Sequence, residues 1–371
     1  MPSGVIVVLR NRVANTMAKT ERTEGMSVDL DKEHRAFLKR LRADLKNAAT
    51  TMTPAEARYL VDVYYQRQED RKRAANQTRA ASEDDEPNTL VIWLADEFKA
   101  LENVIKSAMD AYTDQFEVCR WAKSLYGVGP VLTAGIFAHI DIKRAPTAGS
   151  LWRLAGLDPT VKWKGAVETK STIKNILCKS RDKTKVGDTS EVTQQEIMAV
   201  VAFFGRSVQT VTKDATTSKT GGSRPLNVAN LTKAITRRPW NARLKTLLWR
   251  MADVQKKFSN KEQCFYGQLY QKYKANLVRK NINREFADAA KQVLEDRPGH
   301  KQKAVYEQGM LPDGHLDARA LRWISKIFAS HIHGVFYETT FGCPAPKPYA
   351  IACLEDHTHM IEIPNWPMKT G

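Results

Sequence analysis

The chain has 371 residues, 58 of them Lys or Arg and 41 Asp or Glu, for a formal net charge of +17. With 42% hydrophobic residues it can bury a core of ordinary size, which excludes a disordered polyelectrolyte. No apolar run approaches the roughly 18 residues of a membrane span, the opening MPSGVIVVLRNRV lacks the cleavage site of a secretory signal, and five scattered cysteines suit reduced thiols in a cytoplasmic, nucleoid-associated protein.

Along the chain, residues 28–49 set Phe37, Leu38, Leu41 and Leu45 at helical spacing. Thr53 and Pro54 supply an N-cap and a first-turn proline for a second helix, and the small, polar and acidic residues 74–88 read as a linker. A longer helix opens near Asn88. Its Leu94, Phe98, Leu101, Ile105, Ala108 and Tyr112 alternate steps of four and three, a seam that suits a bundle core or a homodimer through the 94–116 helix.

SLYGVGPVLTAGIFAHI, residues 124–140, reads as a helix-hairpin-helix element. Gly127 reverses the chain, Gly129 opens the next helix, Pro130 suits its first turn, and Val128, Leu132, Ala134 and Ile136 fill the joint. Backbone groups at Gly127, Gly129, Val131 and Thr133 would then hold a phosphate without reading a base. A purely structural helical hairpin fits the same residues.

Charge is concentrated in the middle of the chain. Residues 159–284 carry 26 basic and 8 acidic side chains, net +18, while 1–86 carry +2, 87–158 carry −1 and 285–371 carry −2. A polyanion such as DNA relieves that self-repulsion. Candidate phosphate ligands are Lys162, Lys164, Lys170, Lys174, Arg237, Arg238 and Lys245, with Trp163 between two lysines as a base-stacking candidate. Residues 193–213 are similar to a helix-turn-helix that would present Ser207, Gln209 and Thr210. The gap from Ala199 to Gly205 is two residues longer than usual, so a core helix and turn is the preferred reading of this stretch. Residues 211–228 read as a mobile loop.

Pro239 interrupts the next helix, a Tyr-rich helix follows over 260–280, and another covers 317–338 before an irregular, proline-punctuated tail. His331 and His333 read as satisfied core histidines. Cys343, Cys353, His357 and His359 are the one metal candidate, but their C-x9-C-x3-H-x-H spacing fits no common zinc site, so no metal is expected.

GVGPVLTAGIFAHI, a short spacer and LWRLAGLDP together resemble the C-terminal domain of DEDD-type bacterial insertion-sequence transposases, the bridge-RNA-guided recombinase family. These pair a Holliday-junction-resolvase-like N-terminal domain with a C-terminal domain bearing a helix-hairpin-helix. RRPWNARLKTLLW at 237–249 and ALRWISKIFASHIHGVFYE at 320–338 look like later parts of that domain, so the resemblance spans 88–165 and 231–345. Two features depart from the family. No catalytic aspartate follows the apolar run of GVIVVLRNRV, and Lys164 stands where the family's nucleophilic serine precedes a glycine. The expected protein is therefore a DNA-binding relative, encoded on a mobile element and without the nuclease domain. The alternatives are an active divergent transposase, using Mg²⁺ and a relocated Ser171 or Ser223 for DNA strand transfer, and an RNA-binding scaffold. The expected fold is mainly α: a helical region over 1–86, a long helix with the helix-hairpin-helix over 87–160, a basic insertion over 161–230, and a helical C-terminal domain over 231–371.

Overall fold

A computed structural model describes residues 28–83, 89–158, 163, 165–182, 185–218, 221–348, 352 and 360–368. Among these the chain is mainly helical, with fifteen α-helices, one 3-10 turn and two isolated antiparallel bridges in place of any sheet. It divides into two compact units, Met1–Asp141 with Gln263–Phe265 and Ile363–Gly371, and Ile142–Glu262 with Tyr266–Glu362. Among the described residues no helix is long and apolar enough to cross a membrane.

The first unit contains α1 (Val28–Ala49), α2 (Pro54–Glu83), α3 (Thr89–Asp114), α4 (Glu117–Ser124) and α5 (Pro130–Phe137). A reciprocal cap starts α2: the Glu56 N–H donates to Thr53 Oγ1 at 3.3 Å, and the Thr53 N–H donates to Glu56 Oε2 at 2.7 Å. The linker expected over 74–88 is helical as far as Glu83. Good helix formers dominate that stretch, Ala74 is buried, and one turn earlier Arg71 Nε reaches Glu102 Oε1 of α3 at 2.6 Å. Residues 28–83 thus form two helices without a strand.

The seam of α3 is filled by the unit's own helices. Ile105, Ala108 and Tyr112 are buried where α3 packs on α1, α2 and α5.

The second unit opens with a 3-10 turn (Ile142–Arg144) and continues through α6 (Ala148–Leu154), α7 (Ala166–Ser180), α8 (Gln194–Phe203), α9 (Val208–Thr216) and α10 (Val228–Thr236). It ends with α11 (Ala242–Lys257), α12 (Phe265–Ile282), α13 (Ala287–Asp296), α14 (Lys303–Glu307) and α15 (Asp313–Phe341). The basic insertion is a folded helical cluster: Ile173 and Leu177 of α7, Ile197 and Val200 of α8, Val211 of α9 and Leu231 of α10 share one core. The expected loop over 211–228 is mostly ordered by pairing. α9 runs to Thr216, then Thr217 pairs with Ser223, and Glu191 pairs with Asn227.

α15 is the spine of the remainder, packed against α6 and α11. α12 joins it through the stacked rings of Tyr273 and Trp323, 4.2 Å apart, and through Asp317, which accepts from Lys256 and Tyr270. His331 and His333 are core histidines with partners. His331 meets the Tyr266 hydroxyl and the Ile361 carbonyl, and His333 meets the Ala145 carbonyl.

Candidate nucleic-acid interface

The AGL of LWRLAGLDP is a helix stop. Gly156 takes φ of +64°, the Leu157 N–H donates to Trp152 O, and the Gly156 N–H donates to Arg153 O, which closes α6 in a Schellman turn. The same glycine leaves room for Trp240, whose ring lies where a Cβ would stand. Asn241 then donates its N–H to Leu154 O and caps α11 with its side chain. Two motifs more than eighty residues apart are thereby locked together.

Around this lock the second unit gathers cations on aromatic rings. Lys245 Nζ sits 4.6 Å from the Trp240 ring centre, Arg238 Cζ lies 5.2 Å from that of Trp163, and Lys326 Nζ is 5.2 Å from that of Trp152. Burial, then the like charges of Arg322 and Arg238, push the Lys245 ammonium below the usual lysine range. Burial and Arg322 do the same to Lys326, against a weaker pull from Asp158. Among the described residues no carboxylate lies within ion-pair distance of Arg238, Lys245 or Arg322. Like charges held together without a counterion make a field that favours a polyanion.

The structure brings only part of the expected set to this patch. Arg238, Lys245 and Trp163 belong to it. Lys170 and Lys174 both bind Asp188, and Arg237 Nη1 lies 2.7 Å from Asp214 Oδ1. These ion pairs are largely exposed and screened by solvent, so a phosphate can compete for the cations. Lys162 and Lys164 lie outside the described residues. Trp163 is 37% exposed, but Arg238 covers its ring, Trp240 meets it edge-on, and its indole N–H donates to Thr236 O. It positions Arg238, and any base would have to displace that guanidinium. Arg322, Lys326 and Trp152 were missed in the sequence because a helical period of ordinary core residues hides them, and Trp240 because it lies in the short connection before α11. The Trp-Lys and Trp-Arg repetition was the only signal available.

In the first unit, α4 and α5 meet through the turn Leu125–Val128, where Gly127 has φ of +80°. Gly129 is the N-cap of α5 and has no side chain to cap it, and Pro130 follows. Every later residue of α5 is buried, so only Gly129 and Pro130 at its start are partly exposed. The Thr133 N–H bonds to Gly129 O, which removes it from the expected phosphate ligands. Val131 remains in the turn whose amides lack helical acceptors. Beside Pro130 is a cleft of about 430 Å³ lined also by Arg42, Lys106, Asn103, Ser107 and Asp110. Lys123 pairs with Asp110 at 2.7 Å, so Arg42 and Lys106 set the sign of the cleft. Both were missed because they come from α1 and α3, far from the glycine turn in sequence.

Ser171 is exposed on α7 and Ser223 lies in the hairpin after α9, and neither hydroxyl is hydrogen-bonded to a base. Cys343 is exposed, while Cys353, His357 and His359 lie outside the described residues. Among the described residues no group of three metal-ligating side chains converges. Comparison of the chain with family models, with curated proteins and with solved structures finds no match.

Proposed function

We propose that this is a nucleic-acid-binding protein whose partner is duplex DNA, related to the insertion-sequence transposases that GVGPVLTAGIFAHI and LWRLAGLDP resemble. The observation that carries the reading is the set of cations without an ion-pair partner among the described residues: Arg238 over Trp163, Lys245 over Trp240, and Arg322 close enough to act on Lys245. Burial, then the charges of Arg322 and Arg238, hold the Lys245 ammonium below its usual range, and phosphates that enter here offset that cost as their counterions are released. The partly exposed start of α5 at Gly129 and Pro130, with Arg42 and Lys106 lining the adjoining cleft, supports a second backbone contact in the other unit. Among the described residues no base is hydrogen-bonded to Ser171 or Ser223, which favours binding over strand transfer.

The test is a salt series of binding to duplex DNA, with a structured RNA as competitor. The logarithm of affinity should fall against the logarithm of salt with a slope of about −3 or steeper, each phosphate contributing about −0.9. A shallower slope overturns the basic-patch reading, and a clear preference for the RNA overturns the duplex.

A further inference from the structure

We infer that α7 to α10 form a module that reads base sequence in the DNA major groove, with α9 as the reading helix; this rests on the proposed duplex partner. α8 stops in a Schellman turn: Gly205 takes φ of +59°, the Arg206 N–H donates to Val201 O and the Gly205 N–H donates to Ala202 O. Two residues later Ser207 caps α9, its Oγ accepting from the Thr210 N–H at 3.5 Å. The helices are therefore joined by a four-residue corner, Phe204–Ser207, that is fixed at both ends. They share the core that Ile197, Val200 and Val211 build with α7 and α10. The long gap from Ala199 to Gly205 extends α8 and leaves the corner short.

α9 is divided cleanly. Val211 and Ala215 are buried, while Gln209, Thr210 and Lys213 are exposed along the opposite face. The exposed face carries amide, hydroxyl and ammonium groups and no acid. Asp214, the only carboxylate of α9, is held by Arg237. Such a face matches the donor and acceptor edges of bases flanked by phosphates, where a glutamine pairs with adenine through two hydrogen bonds. Residues 166–236 carry eleven basic and six acidic side chains, a net of +5, and three of the acids, Asp188, Glu196 and Asp214, are already ion-paired.

A second element flanks the helix. Directly after α9 the chain doubles back, with the Ser218 N–H donating to Gly222 O and the Arg224 N–H donating to Thr216 O, both at 2.7 Å. This turn keeps half-buried Arg224 beside the C-terminal end of α9, its guanidinium donating to Ser218 Oγ at 3.3 Å, next to where the sugar-phosphate backbone would run. The A-form major groove is too deep and narrow to admit a helix, so the occupant is B-form DNA and not double-stranded RNA.

The full chain is tested by selection from a duplex library with a randomised centre, followed by sequencing of the bound fraction. Enrichment of a short motif is expected. Gln209→Ala should flatten the preference at one position by about tenfold, and Lys213→Ala should weaken all sequences alike. Both positions are exposed, so thermal melting should not change. A bound fraction as random as the input, with duplex binding intact, overturns this inference and leaves the proposed function standing. A motif that persists unchanged in Gln209→Ala and Thr210→Ala places the reading elsewhere and also overturns it. Loss of duplex binding by the unaltered chain at low salt overturns both.

Discussion

The Trp240 indole occupies the space that a side chain on Gly156 would need: a Cβ there would lie 2.6 Å from Trp240 Cγ. The contact joins the end of α6 to the start of α11 and holds the ring on which Lys245 rests. Gly156→Ala meets two penalties at once, a left-handed backbone and a collision with an indole that is itself packed against Trp163. Together they should lower stability by roughly 2–4 kcal/mol, read as a fall in the urea midpoint. An unchanged midpoint would show that Trp240 is free to move, and the cation patch would lose its anchor.

Arg322→Ala removes the charge that faces both Lys245 and Lys326. The salt slope of DNA binding should become shallower by about 0.9, one phosphate contact. In the free protein the Lys245 ammonium should titrate at a higher pH than before, followed by NMR of isotope-labelled lysine side chains. A titration that does not move would separate Arg322 from the patch.

Gly129 offers a test that spares the fold. Its φ is −96° and a Cβ there would meet nothing within 4 Å. Gly129→Ala should cost less than about 1 kcal/mol while placing a methyl group over the first-turn amides of α5. DNA affinity should fall although melting barely changes. Gly127→Ala, at φ of +80°, should instead destabilise the hairpin directly. Equal DNA affinity of Gly129→Ala and the unaltered chain would argue that α4 and α5 are a structural hairpin only.

Acid should weaken the protein before its carboxylates protonate. Burial pushes His331 down to about 4 from 6.5, against its hydrogen bond to the Ile361 carbonyl that pulls it up, and burial with the nearby Arg58 pushes His139 to about 4. Both are neutral when folded and charged when unfolded across that range. The unfolded state binds more protons there, so their contribution is complete above pH 6.5 and is lost as the pH falls from 6.5 towards 4. Each histidine contributes a slope of roughly 1.4 kcal/mol per pH unit within the window. Denaturant midpoints measured across it should fall with pH, and His331→Phe should flatten part of the fall. A flat profile in the unaltered chain would mean that these rings are reached by water.

The elements that local chemistry dictates were legible in the sequence. Thr53-Pro54 starts α2, Pro239 parts α10 from α11, and the heptad-like spacing from Leu94 to Tyr112 gives α3, because caps, prolines and apolar period act within a turn or two. Ala-rich residues 74–83 read as a spacer because small and polar residues are common to linkers and to exposed helix, yet good helix formers dominate them and the contact between Arg71 and Glu102 holds the helix on α3. The sequence also fixed where positive charge is abundant. It could not fix which charges are free: Asp188 takes up Lys170 and Lys174, while Arg238, Lys245 and Arg322 are left facing one another. Helix packing alone decides that, because Coulomb energy depends on separation through space and neighbours in the chain set only a small part of it.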